Sequence, residues 1–158
     1  MYTIQTIAHP AEKAAICNTV LRALPEWFGI ESAIVDYVEA VREMTFFAAL
    51  QKNEAIGFAA LLQHSPFASE MYVLGLLPGH HRQGLGRQLV QCCEEDCRAQ
   101  GVEFLTVKTL ADTHPDPHYA KTRAFYLAMG YRPLEVFPLL WGEDNPCLLM
   151  AKHLPAGE

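Results

Sequence analysis

The sequence predicts a single α/β domain, and three observations predict it. Short β-rich runs recur from the first residues to the last. Stretches with helical periodicity and helix punctuation separate them. In the middle of the chain an apolar strand runs through a glycine-rich turn straight into a helix. With 158 residues, 51% of them apolar, the chain is long enough to bury a core without metal or disulfide support. It shows no internal repeat, low-complexity tract or interdomain linker, so residues 1–158 read as one domain.

Tyr2 to Ala8 alternates and reads as the first strand. Pro10 suits the first turn of a helix running to about Leu24, with Ile16, Val20 and Leu24 on one face, and Pro25 stops it. Trp27-Phe28-Gly29 is a loop with two exposed aromatics, and Glu31 to Glu43 is a second helix. Met44 to Gln51 and Ala55 to Gln63 form a hairpin around Lys52-Asn53-Glu54. Ser69 to Leu77 is the strand before the glycine-rich turn, and the following helix runs from Gly84 to about Gln100, with Gly101 as its stop. Val102 to Leu110 is a buried strand. A Pro-rich stretch from Ala111 to Pro117 leads into a helix ending at Gly130. Tyr131 to Leu140 and Cys147 to His153 are the last two strands.

Twelve basic against eighteen acidic residues give a net charge of −6 with no basic tract, which argues against a nucleic-acid partner. The acidic balance suits a cationic or amine ligand, and serves solubility equally well. Five cysteines (Cys17, Cys92, Cys93, Cys97, Cys147) form no Cys-x-x-Cys pair. An odd number of thiols and a strand-like start in place of a signal peptide predict a cytoplasmic protein. No apolar run approaches the ~18 residues of a membrane span.

The segment Leu76-Leu77-Pro78-Gly79-His80-His81-Arg82-Gln83-Gly84-Leu85-Gly86-Arg87 builds an anion site from backbone. The first turn of a helix leaves N–H groups unpaired and carries partial positive charge. Glycines let the main chain approach a phosphate, and Arg82 and Arg87 add formal charge. Two common phosphate loops fail on spacing. No lysine follows Gly86 as a P-loop requires, and Leu89 stands where a dinucleotide fingerprint needs its third glycine. Downstream, Phe125-Tyr126-Leu127-Ala128-Met129-Gly130-Tyr131 forms a second motif.

Together the two segments resemble the GNAT superfamily of acyl-CoA-dependent N-acyltransferases. The family's loop, Arg/Gln-x-x-Gly-x-Gly/Ala, is matched by His81-Arg82-Gln83-Gly84-Leu85-Gly86, with His81 departing at the first position. Its Phe-Tyr-x-x-x-Gly-Phe/Tyr is matched by Phe125 to Tyr131, and the interval between the motifs holds one helix, one strand and a loop. The resemblance covers about residues 2 to 153. It implies a single-domain GNAT fold: a mixed, mostly antiparallel twisted sheet of six to seven strands with helices on both faces. It further implies a V-shaped splay of two strands that admits the pantetheine arm of acetyl-CoA.

Moving an acetyl group from a thioester to an amine requires loss of a proton from the amine, polarisation of the carbonyl and protonation of the leaving thiolate. The resemblance assigns the base to Glu70, near the start of its strand, acting directly or through water, where desolvation would raise its pKa. A surface carboxylate at a strand entry is the plain alternative. Tyr72, two residues on, would position substrate or water. Tyr126 is the family's acid, aimed at the cofactor sulfur; a core aromatic is its plain alternative. Main-chain groups of Leu74, Gly75 and Leu76 would pair with the pantetheine amides as an added strand does, and Gly75 would clear space for that approach. His81, Arg82, Gln83, Gly84, Leu85, Gly86 and Arg87 would hold the pyrophosphate. The family's Asn-x-x-Ala is replaced by Tyr119 and Thr122; Thr122 would substitute as a hydrogen-bond partner of the pantetheine, and Phe125 would line the cofactor site or pack the helix against the sheet.

Cys92, Cys93 and Cys97 read as small helix hydrophobes, and His80-His81 as neighbours that diverge, so no metal is expected. His114 and His118 suit either an acceptor pocket or a solvated loop. Acceptor recognition falls to Trp27, Phe28, Glu31 and Tyr72, and to Trp141, Glu143 and Asp144 in the last hairpin. Aromatics with carboxylates attract an amine, and the same residues suit a lid or a dimer contact. The expected activity is direct transfer of acetyl from acetyl-CoA to a primary amine of a small molecule. A non-catalytic acyl-CoA sensor or scaffold, and an acetyltransferase of protein N-termini or lysines, are the alternatives. The resemblance admits a homodimer and gives no reason for a membrane partner.

Overall fold

The computed structural model describes residues 2–81 and 83–155. Among them lie β1 (Tyr2–Thr6), α1 (Pro10–Arg22), α2 (Glu31–Ala40), β2 (Thr45–Gln51), β3 (Glu54–Gln63), β4 (Ala68–Leu76), α3 (Leu85–Ala99), β5 (Phe104–Leu110), α4 (Pro117–Ala128), β6 (Arg132–Phe137) and β7 (Cys147–His153). The strand order is β1-β2-β3-β4-β5-β7-β6. This is the expected mixed seven-stranded sheet. β1/β2, β2/β3, β5/β7 and β6/β7 are antiparallel. β4 and β5 start side by side in the same direction, since Ser69 O accepts from Thr106 and Glu70 from Lys108. A crossover helix such as α3 is what a parallel pair requires.

The chain forms two compact units, one running to Leu62 and including Met71–Asp96, the other made of Gln63–Glu70 and the chain from Cys97 on. In the first unit, α1 starts where the His9 side chain accepts from Ala11 N and Pro10 fills the first turn. Val20 and Leu24 are buried as the periodicity predicts, joined by Cys17 and Leu21. They pack with Ile34, Phe46, Phe58 and Val73. The rings of Phe46 and Phe58 stack at 5.0 Å. Each such burial stabilises by about 1.5–3 kcal/mol. Lys13 is buried too, and its ammonium donates to Met44 O at 2.7 Å. The β2–β3 turn is tighter than the sequence suggests. Lys52 and Asn53 both take positive φ (52° and 65°), so two residues close the hairpin and Glu54 joins β3. The second helix gives way at Val41 to a 3₁₀ turn, Val41–Glu43.

In the second unit the two helix stops share one device. Gly101 (φ 78°) and Gly130 (φ 97°) take the left-handed conformation. Val102 N then donates to Cys97 O at 2.9 Å, and Tyr131 N to Tyr126 O at 3.0 Å, five residues back. These are Schellman stops, with Val102 and Tyr131 as their buried apolar followers. Both residues therefore end helices instead of beginning strands, and β5 and β6 start at Phe104 and Arg132. β6 also ends before the expected Leu140. Its ladder stops at Phe137↔Cys147 because β7 begins at Cys147 and offers nothing further to pair with.

Candidate active site

The first unit carries the glycine-rich loop and helix start expected to cradle an anion. α3 begins at Leu85, directly after Gly84, whose φ of +79° is left-handed and whose Cβ position is open space. Gly84 O accepts from Gln88 N, so the first intrahelical bond closes there. The amides of Leu85, Gly86 and Arg87 occupy the turn with no intrahelical acceptor. Arg82 lies outside the described residues. His80, His81 and Gln83 are turned to the protein. His81 Nε2 donates to Leu76 O at 2.7 Å, and its ring meets Trp27 edge-on at 5.6 Å. Tyr2 OH donates to Gln83 Oε1, and the Tyr2 ring meets His80 at 5.9 Å. His80 and His81 thus diverge. The substitution of His81 for Arg or Gln has a structural meaning, for it anchors the loop to the end of β4. A carbonyl only accepts, so Nε2 carries the proton.

That anchor engages the Leu76 carbonyl, one of the main-chain groups expected to meet the pantetheine. Gly75 has a different reason for being glycine than the one expected. A Cβ there would stand 2.9 Å from Val20 Cγ1 and 3.4 Å from Leu24 Cδ1 and Phe58 Cε1, so the missing side chain lets β4 close on α1. Leu74 lies half-buried between Val73 and Gly75. Trp27 and Phe28 are half-buried rather than exposed, packed against the core of this unit. Tyr72 meets Tyr37 of α2 edge-on at 5.4 Å. Glu31 is held by Arg22 in a two-pronged pair, 2.7 Å at each oxygen, which lowers its pKa through hydrogen bonding.

The second unit carries the buried carboxylate. Glu70 is 4% exposed at the start of β4. Its Oε1 accepts from Lys108 Nζ at 3.2 Å and lies 2.8 Å from His64 Nε2. Neither partner was legible in sequence, since Lys108 meets Glu70 only when β4 and β5 pair, and His64 only through the β3–β4 turn. The same unit holds α4, capped by Asp116, whose carboxylate accepts from His118 N and Tyr119 N. Arg123 Nη1 ties α4 to Leu110 O at 2.7 Å. Tyr126 is buried, its ring edge-on to Phe125 and Tyr131. Phe125 is half-buried. Thr122 Oγ1 donates to His118 O at 3.2 Å. Burial and the nearby Asp116 push the Tyr119 phenol up to about 12. Trp141, 37% exposed, follows the more exposed Leu139 and Leu140 in the turn before β7.

None of the five cysteines is in a disulfide. Burial pushes Cys17 up to about 12 and Cys147 to about 11, and raises Cys92, so none of these three is an activated nucleophile. Among the described residues no group of three or more His, Cys, Asp or Glu could hold a metal ion. No helix among them is long and apolar enough to cross a membrane.

Residues 13–131 match the Acetyltransferase (GNAT) family, so the chain belongs to the GNAT acetyltransferases. It is 26% identical over 143 residues, 89% of this chain and 84% of the relative, to an uncharacterized N-acetyltransferase of Chlorobaculum tepidum. An aminoglycoside 6′-N-acetyltransferase complexed with coenzyme A shares the fold at TM-score 0.76 and 20% identity, covering 99% of both chains. The ribosomal-protein-S18-alanine N-acetyltransferase of Escherichia coli does so at 0.77 and 19%, covering 100% of this chain and 97% of that one.

Proposed function

We propose that this acetyltransferase uses acetyl-CoA to acetylate a primary amine of a small molecule by direct transfer, with residues 1–158 acting as one domain. The observation that carries the proposal is the cradle at the start of α3. Only glycine takes the Gly84 conformation without strain, and the place a Cβ would fill is open. The site thus fits a pyrophosphate, held by the amides of Gly84, Leu85, Gly86 and Arg87 with Arg82 and Arg87 adding charge. Leu74, Gly75 and Leu76 offer main-chain groups to the pantetheine. Thr122 offers a hydroxyl and Phe125 an apolar surface.

When bound, acetyl-CoA supplies the acetyl group as an activated thioester. Tyr126 then donates a proton toward the leaving sulfur, and Glu70 is the carboxylate on which proton loss from the ammonium depends. No covalent enzyme intermediate is called for, in keeping with thiols held protonated. Trp27, Phe28, Tyr72 and Trp141 supply aromatic surface for the acceptor. Glu31 contributes through its pair with Arg22, not as a free anion. A small acceptor is favoured by the half-buried setting of Trp27 and Phe28, which leaves the first unit little flat aromatic surface for a peptide. The five cysteines, none of them in a disulfide, support a reducing, cytoplasmic setting.

Calorimetric titration with acetyl-CoA, NAD and ATP tests the reading. Selective binding of acetyl-CoA, followed by thiol release with an aminoglycoside but not with an alanine-started peptide, is the expected result. Preference for NAD or ATP would overturn it. Acetyl-CoA binding with no thiol release from any amine would leave a sensor.

A further inference from the structure

The buried carboxylate is poorly placed to meet a substrate by itself. The side chain of Glu70 is 5% exposed, whereas His64 beside it is 47% exposed and Lys108 29%. Both donors converge on a single oxygen, Oε1. An ionised carboxylate beside an ammonium has only acceptor sites, so the bond at 2.8 Å assigns a proton to His64 Nε2. The neutral ring then carries its lone pair at Nδ1, which has no hydrogen-bond partner among the described residues.

The position of His64 is also built. Its amide and that of Ser65 donate to Ala68 O at 2.9 and 3.2 Å. Ser65 Oγ accepts from Phe67 N and Ala68 N, both at 3.1 Å, and Gln63 Nε2 donates to Ser65 O. The turn joining β3 to β4 is thereby fixed, and it delivers the ring to Glu70 six residues later. A carboxylate orienting an imidazole whose other nitrogen is left basic is the arrangement that makes histidine a general base.

Resting on the acetyltransferase reading above, we propose that His64 takes the acceptor's proton at Nδ1, and that Glu70 and Lys108 are positioning residues for its ring. The acceptor's N–H bond breaks and an Nδ1–H bond forms. The freed amine keeps the electron pair with which it attacks the thioester carbonyl. The imidazolium stands against the Glu70 carboxylate and returns its proton to water at its exposed edge. The charged or titratable groups around it are Glu70 from β4 and Lys108 from β5. Cys147 of β7 lies within electrostatic reach of both.

Two measurements on the full chain test this. The first needs no acceptor: nitrogen NMR of the imidazole should find the Nε2–H tautomer for His64 in the wild type and lose that preference in Glu70→Gln. An Nδ1–H tautomer would overturn the proposal. The second compares His64→Gln with wild type on whichever acceptor, aminoglycoside or alanine-started peptide, the wild type uses. The variant should lose about 10²–10⁴-fold in kcat, lose the acid limb of the pH profile and keep its acetyl-CoA Kd. Imidazole added to His64→Ala should restore part of the rate. Wild-type kcat and acid limb in His64→Gln, with both lost in Glu70→Gln, would mean that Glu70 takes the proton itself. Failure of the wild type to bind acetyl-CoA would sink the acetyltransferase reading instead, and this proposal with it.

Discussion

The anion cradle and the carboxylate cluster are built in opposite ways. The cradle is main chain: Gly84 with its left-handed φ, then three consecutive amides of α3, with His80, His81 and Gln83 turned away to hold the loop. The cluster is side chain: His64, Glu70 and Lys108, brought together from a turn and two strands. A backbone device tolerates changes in the residues around it and demands glycine at one point. A side-chain device tolerates nothing at its centre and leaves no contiguous pattern. Binding should therefore depend on the first and turnover on the second.

The largest effect is expected at the cluster. Glu70→Ala removes the acceptor shared by Lys108 and His64, and kcat should fall by about 10²–10⁴-fold while the Kd for acetyl-CoA holds. Gly84→Val makes the opposite cut. A β-branched residue in the left-handed region costs about 1–2 kcal/mol, so the Kd for acetyl-CoA should rise ~5–30-fold. Its kcat at saturating acetyl-CoA should change little. Titration and steady-state kinetics on both variants check the division, and either variant moving both quantities together would break it.

The same contrast explains what could be read from sequence. The Gly-x-Gly loop, the Phe-Tyr motif and the alternation of elements are local, and each landed in the element expected of it. Glu70 was legible only through its place on the strand, and its partners not at all: Lys108 meets it only once β4 and β5 run side by side, and His64 only through the fixed turn between β3 and β4. Val102 and Tyr131 misled for another reason. Both are β-formers directly after a glycine, and a Schellman stop claims such a residue as its apolar follower before a strand can. Glu31 looked like a free anion for an amine, and nothing local announced Arg22 nine positions earlier as its partner.

Gly75 ranks next in size, and it separates packing from binding within the first unit. A methyl there meets Val20 Cγ1 at 2.9 Å. Val20 is β-branched and stiff, so β4 or α1 must shift. Gly75→Ala should cost about 1 kcal/mol, at the low end of overpacking changes, seen as a lower Tm. Gly79→Ala, with nothing within 4 Å, should melt as wild type. Equal melting of the two variants would remove the packing reason for Gly75.

The smallest effect compares the two units through their buried thiols. Cys17 sits in the apolar core, and burial alone lifts it from 9.0 to about 12. Burial lifts Cys147, near the charged cluster, to about 11, with Lys108 pulling it down and Glu70 pushing it up. Burial disfavours the thiolate, so each contribution to stability is fully present below pH 9, where the unfolded thiol is still protonated. It drains away as pH rises, because the unfolded chain ionises first. The loss should continue to about pH 12 for Cys17 but level off near 11 for Cys147. Thermal melts under reducing conditions should thus show Tm falling above pH 9, less steeply in Cys17→Ala than in Cys147→Ala at the upper end of the range. Parallel curves for the two variants would mean that the apolar core and the charged cluster impose the same penalty on a thiolate, and that Lys108 does not offset burial at Cys147.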